Sequence, residues 1–177
     1  MRIVPDLRRL GITYLVKDHL ETLYEIDANG DKRLSWSDIF VFYGAPFIAA
    51  ASGIIFRLKI HGLAEIIGGM AILTGLLFGL LVHVFSLGLR LRDDPRYTSS
   101  SNVSILIDEL RANVSYSCGV ALLLTTILMI AAALSKHPAQ GLNVIVSAIS
   151  IGLFANLALT LLMVINRVRS AYRIMAI

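Results

Sequence analysis

The sequence predicts an all-α membrane protein in which four transmembrane helices form two hairpins behind an amphipathic N-terminal cytoplasmic helix. Three observations carry that expectation. Hydrophobic residues make up 56% of the chain and charged residues only 16%, against about 45–50% and 25% in a soluble domain. Four apolar runs, at 39–56, 66–89, 114–134 and 144–165, are of the length that crosses a bilayer, about 17–25 residues. The basic residues between those runs are also unevenly shared.

Residues 1–38 form the cytoplasmic helix and turn. Over 5–26 the apolar residues Leu7, Leu10, Tyr14, Leu15, Leu20, Leu23 and Tyr24 recur at near-helical spacing among charged ones, which predicts an amphipathic helix lying against the membrane or a partner. The first apolar run follows this polar segment, without a positive n-region or a small-residue cleavage site. It is therefore read as an uncleaved anchor and not as a signal peptide.

The stretch DANGDKRLSWSD at 27–38 admits two readings. Asp27, Asn29, Asp31, Ser35 and Asp38 occupy positions 1, 3, 5, 9 and 12 of a calcium loop. The likeness to an EF-hand extends to the apolar Leu23, Ile26 and Leu34. Against it, Lys32 stands where the loop needs glycine, and Asp38 is shorter than the usual glutamate. The other reading needs no ion. Ser35-Trp36-Ser37-Asp38 before Ile39 is a capping box, Asn29-Gly30 supplies a turn, and Trp36 suits a headgroup interface. The turn and cap are preferred, with calcium as the alternative and no other cofactor expected.

The first transmembrane hairpin, 39–90, turns through RLKIHG. A cytoplasmic loop and helix, 91–112, follows. RDDPRYTSSSN is a loop by its proline and serines, and Ile107, Leu110, Val114 and Cys118 then mark one helix entering the membrane. Its charged face, Asp108, Glu109 and Arg111, is read as solvated surface, with partner docking as the alternative. The second hairpin, 113–166, turns through SKHPAQG, and 167–177 is a basic tail. Cys118, the single cysteine, acts as a small apolar residue.

Polar and small residues inside the spans are the candidate site. Ala71, Gly75, Gly79 and His83 lie at i, i+4 spacing in the second span, and Ala148, Gly152, Asn156 and Thr160 repeat the device in the fourth. Small residues let helices approach closely, and polar ones hydrogen-bond across them. The two stripes are expected to pack inward together, with His83 satisfied by a hydroxyl such as that of Thr160. A water-filled path lined by the same residues is the sharper alternative.

Catalysis finds no support: no nucleophile elbow, HExxH, paired cysteine motif or phosphate-binding glycine loop is present. His19, His61, His83 and His137 are too dispersed for one metal site. The net charge of +4 needs no nucleic-acid partner, because arginines beside spans meet anionic headgroups. The amphipathic N-terminus, the span LTGLLFGLLVHVFSLGLRLR, the polar loop and LIDELRANVSYS together resemble the small four-span inner-membrane proteins of bacterial phage-defence and phage-exclusion loci, such as the Kiwa membrane subunit and the Rex-type exclusion proteins. The resemblance implies an oligomeric membrane sensor or effector that responds to infection, with membrane permeabilisation as its sharper form. It assigns no site residues. The expected function is thus a non-enzymatic homo-oligomeric effector or sensor of the bacterial inner membrane. The alternative is an anchor that recruits a soluble cytoplasmic partner.

Orientation follows from the positive-inside rule. Arg2, Arg8, Arg9, Lys17, Lys32 and Arg33, then Arg90, Arg92, Arg96 and Arg111, then Arg167, Arg169 and Arg173 fall on one side. Only Arg57, Lys59 and Lys136 fall on the other, so both termini are expected in the cytoplasm. Cysteines introduced as Ser99→Cys and Ser170→Cys should therefore resist an impermeant thiol reagent in intact cells, while Gln140→Cys should react. Labelling at 99 but not at 140 would reverse the arrangement.

Overall fold

A bilayer interior offers backbone amides no water, so they must bond to one another, and helices achieve this within a single segment. The computed structural model describes residues 11–26, 32–34, 40–93, 102–135 and 141–175, and nearly all of them are helical. The elements are α1 (Ile12–Glu21), an antiparallel ladder of β1 (Tyr24–Ile26) and β2 (Lys32–Leu34), a π-helical turn (Phe40–Gly44) leading into α2 (Ala45–Ile55), and the long helices α3 (Leu63–Asp93), α4 (Asn102–Leu134) and α5 (Val144–Met175). Among the described residues three helical segments, Leu63–Leu91, Val103–Leu134 and Val144–Arg169, are long and apolar enough to cross a membrane. The first apolar run gives the shorter helix Phe40–Ile55. At about 1.5 Å per residue it reaches about 24 Å, less than a hydrocarbon core of about 30 Å.

The N-terminal helix is shorter than its apolar periodicity implies. It ends at Glu21, where the Thr22 N–H bonds back to the His19 carbonyl and the Leu23 N–H to the Leu20 carbonyl. Tyr24, Glu25 and Ile26 are instead extended and pair with Leu34, Arg33 and Lys32. Aromatic and β-branched residues favour a pleated strand, and Asn29-Gly30 between the two strands is a turn signal. The all-α expectation thus takes one small exception. An EF-hand would need its incoming helix to reach Leu23 and Ile26, and this geometry departs from that frame. The ligand positions Asp27, Asn29, Asp31, Ser35 and Asp38, and the capping box itself, lie outside the described residues.

The second expected hairpin is packed together, but the first, 39–90, does not close on itself. α3 packs on α4 and α4 on α5, but α2 packs on α5 and not on its sequence neighbour α3. Small residues explain the choice. A Cβ on Gly152 would stand 3.0 Å from Ala50 Cβ and 3.2 Å from the Pro46 carbonyl oxygen, and one on Gly53 would stand 3.4 Å from Ala148 Cα. The two helices therefore meet almost backbone to backbone, as small-residue crossings in membranes do. The turn after α2 is pinned to the same helix: the Leu142 N–H donates to the Ile60 carbonyl at 2.9 Å, and the Ile60 N–H donates to Ser147 Oγ at 3.1 Å. Gly141, at φ +75°, is required there, because a Cβ would lie 2.8 Å from the Ile60 oxygen. On the other side of α5, the core is aliphatic, with Met70, Leu77 and Val84 of α3 in one cluster with Leu124 and Leu128 of α4 and Leu157 of α5.

Gly152→Val should therefore overpack the α2–α5 crossing and lower bundle stability by about 1–3 kcal/mol, read by detergent-induced unfolding in bicelles. Gly79→Ala, with nothing within 4 Å of the added methyl, should instead raise it by about 0.5–1 kcal/mol through helix propensity. Equal losses in both variants would remove the crossing as the cause.

Candidate functional site

Pro46 lacks an N–H, so it offers no α-helical donor to the carbonyl four residues earlier, that of Phe42. Asn156 of α5 fills the vacancy, its Nδ2 donating to the Phe42 oxygen at 3.2 Å. The same amide uses its Oδ1 to accept the Tyr116 hydroxyl of α4 at 3.0 Å. Tyr116 in turn lies flat against His19 of α1, with ring centroids 4.0 Å apart and an angle of 3° between the planes. Phe42 meets the imidazole edge-on at 6.3 Å. One proline thus starts a chain of contacts that joins four elements at the end of the bundle where α1 sits.

His19 is fully buried although it belongs to a polar surface helix. Its Nδ1 lies 2.7 Å from Asn113 Oδ1, and Asn113 is also fully buried. Thr22 Oγ1 stands 2.7 Å from the His19 carbonyl oxygen and 3.0 Å from Asn113 Oδ1, so its single proton joins the cluster to the end of α1. His19 Nε2 and Asn113 Nδ2 have no hydrogen-bond partner among the described residues. Burial, and after it the Arg167 charge, lowers the His19 pKa, outweighing the Asn113 hydrogen bond that raises it. An unpaired buried charge costs several kcal/mol. The helix C-terminus would return at most about 2 kcal/mol to a cation. The neutral ring therefore wins.

The C-terminal position is in any case taken. Arg167 of α5 donates through one terminal nitrogen to the Thr22 carbonyl at 2.7 Å and through the other to Glu109 of α4. This mostly buried pair ties α1, α4 and α5 beside His19. Leu15 reaches the groove over α4, its Cδ1 lying 3.8 Å from a Cβ position on Gly119. The outer side of α1 carries Tyr14, Val16, Lys17, Asp18 and Glu21, all exposed.

The stripes read from the sequence separate. Gly152, Asn156 and Thr160 are buried in the α5 contacts, and the Thr160 hydroxyl donates to the Asn156 carbonyl at 2.9 Å. Ala71, Gly75, Gly79 and His83 are exposed on α3, turned away from its core side. A Cβ on Gly68, Gly69, Gly75 or Gly79 would meet nothing within 4 Å. The expected pairing of the two stripes, and of His83 with Thr160, is not formed. The reason is that Gly152 and Ala148 already hold α2. His19, Asn113, Tyr116 and Arg167 were not singled out by the sequence. The signals available were Pro46 with its freed carbonyl, and Asn113 and Tyr116 at the start of an apolar run.

Comparison with protein-family models, curated proteins and solved structures gives no match. Among the described residues no three His, Cys, Asp or Glu side chains converge on a metal-sized space. Hydroxyls buried along the long helices are mostly committed to their own backbones, as with Thr74 to Met70, Ser117 to Asn113 and Thr160 to Asn156. The cluster can hold α1 in place and can accept a proton.

Asn113→Ala should leave the His19 Nδ1–H and the Thr22 hydroxyl without their shared acceptor, a loss of about 1–3 kcal/mol. Hydrogen exchange should show it as faster exchange of the α1 amides with the α3 to α5 amides unchanged. Unaltered α1 protection would remove Asn113 as the holding group.

Proposed function

We propose that this chain is a non-enzymatic, self-associating sensor or effector of the bacterial inner membrane, with four spans and both termini cytoplasmic. The observation that carries the reading is the face of α3. Gly68, Gly75 and Gly79 stand on the side away from its own bundle with no neighbour within 4 Å, and His83 is exposed on the same helix. Glycine in a helix interior costs about 0.5–1 kcal/mol relative to alanine. Within this chain the glycines of the α2–α5 crossing offset that cost by close approach. A second copy on α3 would do the same for the outward face, and would spare His83 contact with lipid tails, where an ionisable ring is costly.

On this reading any permeation path lies between copies, because the core between α3, α4 and α5 is aliphatic. Short α2 would complete the fourth span by thinning the bilayer locally, as short hydrophobic segments do. The resemblance in plan to membrane proteins of phage-defence loci supports infection as the setting. The second reading, an anchor for a soluble partner, is favoured by the exposed Tyr14 and Val16 on the outer side of α1.

Chemical cross-linking in nanodiscs tests self-association. The parent should give a discrete oligomer, and Gly79→Leu should give monomer whose bundle unfolds no more easily than the parent's, since Gly79 is exposed and nothing lies within 4 Å of an added Cβ. An oligomer that survives Gly79→Leu would remove the α3 face as the interface. Ion flux from liposomes holding the parent and lost in Gly79→Leu would select the pore form, and a tight parent the scaffold.

A further inference from the structure

We infer that His19 is a proton-binding latch: the neutral ring holds α1 against Tyr116 and Asn113, and a second proton on the ring releases the helix from the bundle. The inference deepens the sensor reading by assigning its stimulus, and it stands on that reading only for what release does afterwards.

The geometry carries it. Nδ1 is engaged by Asn113 at 2.7 Å, so an imidazolium would carry its second proton on Nε2, which has no partner among the described residues. Turning the Asn113 amide over changes which ring nitrogen carries the proton in the neutral state but leaves Nε2 without a partner among the described residues, and a ring with both nitrogens protonated has at most one acceptor for two donors. The ring is closed to water, being fully buried, with Tyr116 stacked on one face and Phe42 edge-on at its side. Every charged or titratable group turned toward the ring works in the same direction or is already engaged. Arg167 of α5 is a cation bound to the Thr22 carbonyl. Glu109 of α4, the anion beside it, is paired to that arginine. Tyr116 of α4 gives its proton to Asn156, and Tyr43 of the π-turn is a neutral phenol next to Tyr116. On α1 itself Asp18 and Glu21 are exposed, with Glu21 facing Lys17.

The sign follows from the lowered His19 pKa, for which burial is the first cause and Arg167 the further one. Above the free histidine value of about 6.5 the ring is neutral whether α1 is docked or free, and pH has no effect. Below it the free helix takes the proton first, so docking is lost as pH falls from about 6.5 through the docked value. Release would uncover Asn113 and Tyr116 and leave Arg167 without the Thr22 carbonyl.

The full chain in nanodiscs, with Cys118→Ala and nitroxide labels at Tyr14→Cys and Leu89→Cys, reads the latch by pulsed electron resonance distances. A second pair, Leu89→Cys with Ile165→Cys, reports α3 against α5. At about pH 8 the 14–89 distance should be narrow, and by about pH 5 it should broaden and lengthen while 89–165 does not change. His19→Gln, which cannot ionise, should hold the narrow distance at both values. A parent distance that ignores pH, or a midpoint above about 6.5, overturns the proposal. So does a His19→Gln protein that responds as the parent does. If His19→Gln is already broad at high pH, the parent's midpoint decides alone. Oligomer size is read by cross-linking in the same samples, so a chain that is monomeric yet releases α1 sinks the self-association reading and keeps the latch.

Discussion

The Phe42 carbonyl, to which Pro46 offers no N–H and Asn156 does, is the constraint around which the α1 end of the molecule is built. An unsatisfied carbonyl in an apolar setting costs several kcal/mol, and Asn156 removes that cost with its amide nitrogen. Doing so fixes the amide's orientation, which presents Oδ1 to Tyr116. Fixing Tyr116 places a flat aromatic surface where His19 can stack. The order of dependence runs from a missing N–H in one helix to the seat of another, far along the chain.

The seat is apolar on its faces and polar at one edge, and this combination suits a neutral imidazole. A leucine there would fill the space between Tyr116 and Phe42 but remove the ring nitrogen that Asn113 engages. A lysine would bring a charge beside Arg167. Histidine alone satisfies the stack and the hydrogen bond while keeping a second ionisation state within physiological reach. The ion pair of Arg167 and Glu109 closes the remaining side. Such a partly buried pair adds little net stability, but it occupies the last carbonyl of α1 and so defines where the helix ends.

On the outward face of α3 the same chemistry is left incomplete. At the α2–α5 crossing the glycines leave no comfortable room for a Cβ, which at Gly152 would stand 3.0 Å from Ala50 Cβ. The α3 face has the glycines without the contact. A helix with one side packed on α4 and the other side smooth and small is an edge helix, in the sense in which a sheet has edge strands. Its histidine lies at that edge and not in the interior, which separates the chain's two informative imidazoles: His19 is sealed and His83 is open.

By itself the sequence determined that the chain is helical and that long apolar helices dominate it, because length and hydropathy are local properties. The runs 66–89, 114–134 and 144–165 lie inside α3, α4 and α5, but the helices extend past them, α5 as far as Met175 through the stretch read as a basic tail. It also marked Gly152, Asn156 and Thr160 as packing and hydrogen-bonding residues, because small and polar side chains in lipid have few other uses. Partners were decided only by the tertiary structure. The stripe at Ala71, Gly75, Gly79 and His83 obeys the same spacing as the one on α5, and spacing carries no information about which helix approaches. His19 looked like one dispersed histidine among four, since its burial depends on Tyr116, Asn113 and Phe42, and none of these is near it in sequence. Tyr24 to Ile26 fitted the helical period of 5–26, yet pairing with Lys32 to Leu34 offers those amides partners that a helix ending at Thr22 does not. Periodicity shows which side of an element is apolar, and only the assembled chain shows what that side meets.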